Sequence, residues 1–114
     1  MTKRLSCGQM FNSTDGSVVR DAIVIVEGDT VRYAGPATKA PAAGRGDEQL
    51  DYSRHFVMPG LIDVHTHLAY GNAKTEEDID LYSSMEFRTL RGMFFAQKVL
   101  AAGYTSMCAP GDAG

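Results

Sequence analysis

The ten residues PGLIDVHTHL, Pro59 to Leu68, decide how this chain is read. Pro59-Gly60 is turn chemistry and ends whatever precedes it. The eight residues that follow are apolar at Leu61, Ile62, Val64 and Leu68, and they predict a strand over 61–68. Side chains alternate across a strand, so Ile62, Val64, Thr66 and Leu68 share one face and Asp63, His65 and His67 the other. In a parallel sheet both faces are covered, so the titratable face looks into an interior that tolerates polar groups. At ~3.3 Å per residue the two histidines stand ~6–7 Å apart along the strand. Both imidazoles can then lean toward a common point ~2 Å from each ring nitrogen, as a metal ion requires. Neutral imidazole suits zinc, iron, nickel and cobalt, so geometry alone does not choose among them. A bare His-x-His arises often by chance. The weight here comes from its place at the C-terminal end of a parallel strand, where α/β folds keep their chemistry. Asp63 is placed to orient an imidazole, or to act as a simple buried acceptor. His55 has no such context and reads as a surface or structural residue.

Outward from this stretch the chain has two unlike halves. Residues 1–57 read as strand and turn. Ala22 to Val26 and Thr30 to Ala34 flank Gly28-Asp29 and predict a hairpin. Ala40 to Gln49 is small, polar and glycine-rich, a loop, after which Leu50 to Met58 is extended again. Beyond Leu68 the period changes. Thr75-Glu76-Glu77-Asp78 has the form of a capping box, and Ser83 with Glu86 offers a second helix start. Gly92, Phe95, Ala96, Val99 and Ala102 fall at helical spacing, with Arg88, Arg91 and Lys98 expected to point elsewhere. Gly103 is a helix stop, and Tyr104 to Cys108 a second strand. Strand, helix over roughly 84–102, strand is a βαβ unit with a parallel pairing.

Composition sets the outer bounds. The chain has 114 residues, 44% of them hydrophobic, and a formal net charge of −3. This is the balance of an ordinary globular protein, without the basic patch that nucleic acid asks for. No apolar run approaches the ~20 residues of a membrane span, and the N-terminus carries no apolar signal-peptide core. The LSCG around Cys7 is a faint lipidation pattern without that core. Cys7 and Cys108 read as two free buried thiols in a reducing cytoplasm.

The stretch VMPGLIDVHTHL resembles the opening signature of the amidohydrolase superfamily, metal-dependent hydrolases that include dihydroorotase, imidazolonepropionase and prolidase-like carboxypeptidases. The pattern Pro-Gly-x-Ile-Asp-x-His-x-His is filled by Pro59, Gly60, Ile62, Asp63, His65 and His67. AIVIVEGDTVRYAGPA is similar to the family's N-terminal hairpin, and LRGMFFAQKVLAAGYTSM to its first barrel helix entering the second barrel strand. SSMEFRTLRGMFFAQKVLAAGYTSM looks closest to the imidazolonepropionase and Xaa-Pro dipeptidase branch. There an Arg-Asp-x-Gly-Gly type segment often follows the second strand. Here SMCAPGDAG keeps only Asp112-Ala113-Gly114, which leaves small N-acyl amino acids, dipeptides and cyclic amides all open as substrates.

The resemblance implies an α/β fold: a small β-sandwich-like domain over 1–57, then the start of a (β/α)₈ TIM-type barrel over 58–114, truncated after about the second barrel strand. The sandwich would be a composite, completed by the C-terminal end of a longer chain. A whole barrel takes about 250 residues. The resemblance implies that His65 and His67 ligate one or two divalent metal ions, zinc first, and that further ligands and the catalytic acid–base group lie beyond residue 114. It implies hydrolysis of an amide or related C–N bond of a small molecule by metal-activated water, in a cytoplasmic and homo-oligomeric full-length protein. The 114 residues alone are expected to be inactive, and unfolded or aggregated. The rival is a stand-alone, non-catalytic piece that binds metal weakly through two histidines or docks onto another chain.

Overall fold

The computed structural model describes residues 1–111, so the comparison drawn on Asp112-Ala113-Gly114 lies outside the described residues. The chain forms two compact units, one over Met1–Pro59 and one from Gly60 onward.

The first unit is a mixed four-stranded sheet. Its strands are β1 (Thr2–Phe11), β2 (Val18–Glu27), β3 (Thr30–Pro36) and β4 (Glu48–Val57), in the order β3-β2-β1-β4. The expected hairpin is β2–β3, antiparallel and turning at Gly28-Asp29, with Glu27 opposite Thr30. β1 pairs antiparallel with β2 and parallel with β4. Cys7, Met10 and Ala22 are buried together, with Leu5, Val19, Val24 and Val57 packed against them. These residues form a single sheet layer. A 3₁₀ turn at Ala37–Lys39 and the loop after it lead to β4, and the buried Arg4 ties that loop down by donating to the Pro41 carbonyl at 2.9 Å.

The second unit holds β5 (Leu61–Asp63), α1 (Glu77–Asp80), α2 (Met85–Ala101) and β6 (Tyr104–Met107). β5 and β6 are parallel, Leu61 opposite Tyr104 and Asp63 opposite Met107, with α2 in the connection between them. Backbone bonds from Leu61 N to Gly103 O, Cys108 N to Asp63 O and Thr66 N to Cys108 O carry the ladder past both ends.

Four sequence expectations change. The strand expected over 61–68 is regular only to Asp63; there the Asp63 carboxylate accepts the His65 amide at 3.1 Å, and a single further backbone bond, from Thr66 N to Cys108 O, follows it. The cap of α2 is Ser84, not Ser83: its hydroxyl accepts the Phe87 amide at 3.3 Å, while the Ser83 hydroxyl donates to the Asp78 carbonyl at 2.6 Å. Arg88 and Arg91 share the inward face of α2 with Gly92, Phe95, Ala96 and Val99, and only Lys98 points away. Cys108 is exposed, and only Cys7 is a buried thiol. The capping box at Thr75 does form, with Thr75 Oγ1 accepting from Asp78 N and Asp78 Oδ2 accepting from Thr75 N, but α1 lasts a single turn. No helix among the described residues is long and apolar enough to cross a membrane.

Candidate metal centre

β5 delivers the chain to its C-terminal end, and the His-x-His follows immediately. Strand alternation does not place the histidines, since they stand beyond the last regular strand residue. They converge by another route. The turn closed by Asp63 on the His65 amide brings the two rings together edge to face, centroids 5.2 Å apart. His65 Nε2 and His67 Nε2 lie 3.2 Å apart. Two imidazole nitrogens each ~2.0–2.1 Å from a common zinc stand roughly 3.3 Å apart at the tetrahedral angle. The separation of the two nitrogens thus matches that of two ligands on one divalent cation.

His67 is half-buried and His65 exposed, so one ring is anchored in the unit and the other faces solvent. His67 Nδ1 is buried with no hydrogen-bond partner among the described residues. Asp63 does not orient either imidazole; its carboxylate serves the His65 backbone. His55 belongs to the first unit, exposed in β4 with its ring edge against Tyr52.

Sequence reasoning missed the frame around the pair. Tyr70 stacks on His67, ring centroids 5.0 Å apart and planes 22° apart, and its hydroxyl donates to Asp80 Oδ2 at 3.0 Å. Arg91 reaches across from α2 and donates to the carbonyls of Ala69 (2.9 Å) and Tyr70 (2.8 Å) and to Asn72 Oδ1 (2.9 Å). Arg88 donates to the carbonyls of Asp80 and Ser83. Gly71, at φ 50°, lies so close to Phe95 that a Cβ would sit 2.0 Å from its ring. Two arginines on an otherwise apolar helix face were the available signal, because a buried guanidinium must find acceptors.

Among the described residues no group of three or more His, Cys, Asp or Glu side chains is gathered for a metal ion, so the described residues bring together the two histidines alone.

No protein-family model matches the chain. Curated relatives do. An imidazolonepropionase of Streptomyces coelicolor is 45% identical over 60 residues, 53% of this chain and 15% of that protein. One from Xanthomonas campestris pv. campestris is 39% identical over 95 residues, 82% of this chain and 21% of that protein. The chain thus spans about a fifth or less of the length of these relatives. Among solved structures, a Xaa-Pro dipeptidase with bound methionine superposes with a TM-score of 0.81 at 18% identity, over 100% of this chain and 27% of that one. A prolidase complexed with N-methylphosphonate-L-proline gives 0.80 at 19% identity, over 96% of this chain and 26% of that one. The fold and the Pro-Gly-x-Ile-Asp-x-His-x-His site together define an amidohydrolase-superfamily chain. In sequence the chain is similar to the relatives named imidazolonepropionase, and it shares its fold with the prolidase and Xaa-Pro dipeptidase structures.

Proposed function

We propose that the protein is a metal-dependent hydrolase of an amide or related C–N bond in a small molecule, and that these residues supply the first two ligands of its metal centre. The observation that carries this reading is the 3.2 Å approach of His65 Nε2 to His67 Nε2 at the C-terminal end of a parallel strand. A divalent ion held there, zinc first, would supply a lowered pKa for its water and a polarised scissile carbonyl. His65 and His67 would hold it through their facing Nε2 atoms. Asp63 sets the turn that presents them. The carboxylate that accepts the water's proton and the ligands that complete the coordination belong to parts of the protein beyond these residues.

In this reading residues 58–114 open a (β/α)₈ barrel, with β5 and β6 as its first two strands and α2 between them. Residues 1–57 are one layer of a composite sandwich, and the whole protein is a cytoplasmic homo-oligomer. Substrates are small N-acyl amino acids, dipeptides or cyclic amides. The curated relatives named imidazolonepropionase favour the cyclic amide.

The experiment is elemental analysis of the intact protein and of its His65→Ala/His67→Ala form. Stoichiometric divalent metal in the first and its loss in the second is the expected result. Metal retained in full by the double variant would overturn the assignment. With only two donors among the described residues, the 114-residue segment alone has at most weak affinity, which is the rival reading of a non-catalytic piece. Strong hydrolysis by that segment would overturn both.

A further inference from the structure

We propose that Tyr70 is a positioning residue for the metal centre, setting the plane of the His67 ring by stacking where a hydrogen bond would usually do so. The inference rests on the metal reading of the histidine pair. A metal-ligating imidazole is normally oriented through its other nitrogen, which donates to a carboxylate, carbonyl or water. His67 Nε2 faces His65, so Nδ1 is that other nitrogen, and it is buried without a partner among the described residues. What lies against the ring instead is Tyr70, nearly parallel at 22° and 5.0 Å between centroids.

Tyr70 is itself held on three sides. Its amide donates to the His67 carbonyl at 3.2 Å, which closes the turn that places one ring over the other. Its carbonyl accepts from Arg91 at 2.8 Å. Its hydroxyl donates to Asp80, whose own carbonyl is held by Arg88. The arginines of α2 therefore reach His67 through Tyr70: the helix fixes the loop, the loop fixes the tyrosine ring, and the ring fixes the imidazole. A flat restraint of this kind limits tilt of the ring and keeps Nε2 beside that of His65.

The test uses the intact protein loaded with Co²⁺, whose ligand-field absorption reports coordination geometry, and chelator competition for Co²⁺ and Zn²⁺ affinity. Tyr70→Phe keeps the stacked ring and loses only the hydroxyl. Tyr70→Leu and Tyr70→Met remove the ring, and the second refills its volume, so that one poorly folding variant does not end the test. The Phe form should keep the wild-type spectrum and lie within about twofold in affinity, while the Leu and Met forms should show an altered spectrum and about tenfold weaker binding. Leu and Met forms with wild-type spectrum and affinity would overturn the inference. So would a Phe form as weak as the Leu form, since the hydroxyl and not the stack would then be the agent. Wild-type protein that takes up no Co²⁺ through the pair would instead overturn the metal reading, and with it this inference.

Discussion

Arg91 Nε donates to the carbonyl of Ala69 at 2.9 Å, across 22 positions of sequence. Ala69 is one of the few buried residues of the second unit, at 6% exposure, so its carbonyl has little access to water. One guanidinium thus satisfies two backbone carbonyls and the Asn72 side chain in the loop that follows the histidines.

Arg91→Ala should destabilise the intact protein by about 2 kcal/mol, from lost charged hydrogen bonds and a stranded buried carbonyl. Arg91→Lys should recover only part of this, since an ammonium cannot reproduce the planar fork. Denaturant unfolding measures the stability, and hydrogen exchange of the Tyr70 and Ala73 amides reports the loop. Unchanged exchange in the Ala form would remove Arg91 from the frame.

Gly71→Ala should cost about 2 kcal/mol, from a positive φ that resists a Cβ and from the collision with Phe95. The collision is with a side chain, so Phe95→Leu should relieve part of it, and the double variant should be less unstable than the sum of the two single changes. Strict additivity in thermal unfolding would show that the two residues do not meet.

Glu86 has its carboxyl held below the ordinary carboxylate range, first by its own backbone amide and then by the Ser84 hydroxyl at the α2 cap. A depressed folded-state pKa stabilises above the unfolded value, and the contribution is lost as pH falls through the folded value. Wild-type protein should therefore lose more stability than Glu86→Gln on going from neutral pH into the acid range. Parallel stability–pH curves for the two proteins would rule the interaction out.

Cys108 is exposed, whereas burial raises the pKa of the Cys7 thiol, with a backbone contact at Val24 partly opposing. Alkylation of the native protein at mildly alkaline pH, mapped by peptide mass, should modify Cys108 much faster than Cys7, and denaturation should erase the difference. Equal native rates would contradict the burial of Cys7.

The outer face of α2 exposes Phe87, Leu90, Met93 and Phe94, each more than half accessible, and Leu81 and Tyr82 precede it in the same state. Residues 1–114 produced alone should associate through this surface. Light scattering and amide exchange over 61–63 provide the check. A stable monomer with strong protection there would favour the stand-alone reading.

What the sequence by itself determined was local. The β2–β3 hairpin, the capping box at Thr75, the extent of α2 with its stop at Gly103, and the succession strand, helix, strand all follow from residues within a few positions of one another. Turn chemistry, capping and helical period act over that range. The two histidines were legible for the same reason, as a pattern one residue wide. What only the tertiary structure decided depends on groups far apart in the chain. The regular strand ends at Asp63, whose carboxylate captures the His65 amide while the Thr66 amide still bonds back to Cys108, a choice that extended and turned conformations of the same residues both permit. Arg88 and Arg91 face inward, against their usual solvation, because the loop over 69–83 offers them carbonyls with no strand or helix partner. The stacking of Tyr70 on His67 exists only once that loop is pinned to α2. Helical spacing alone cannot report such contacts, because it says which residues share a face but not which acceptors that face will meet.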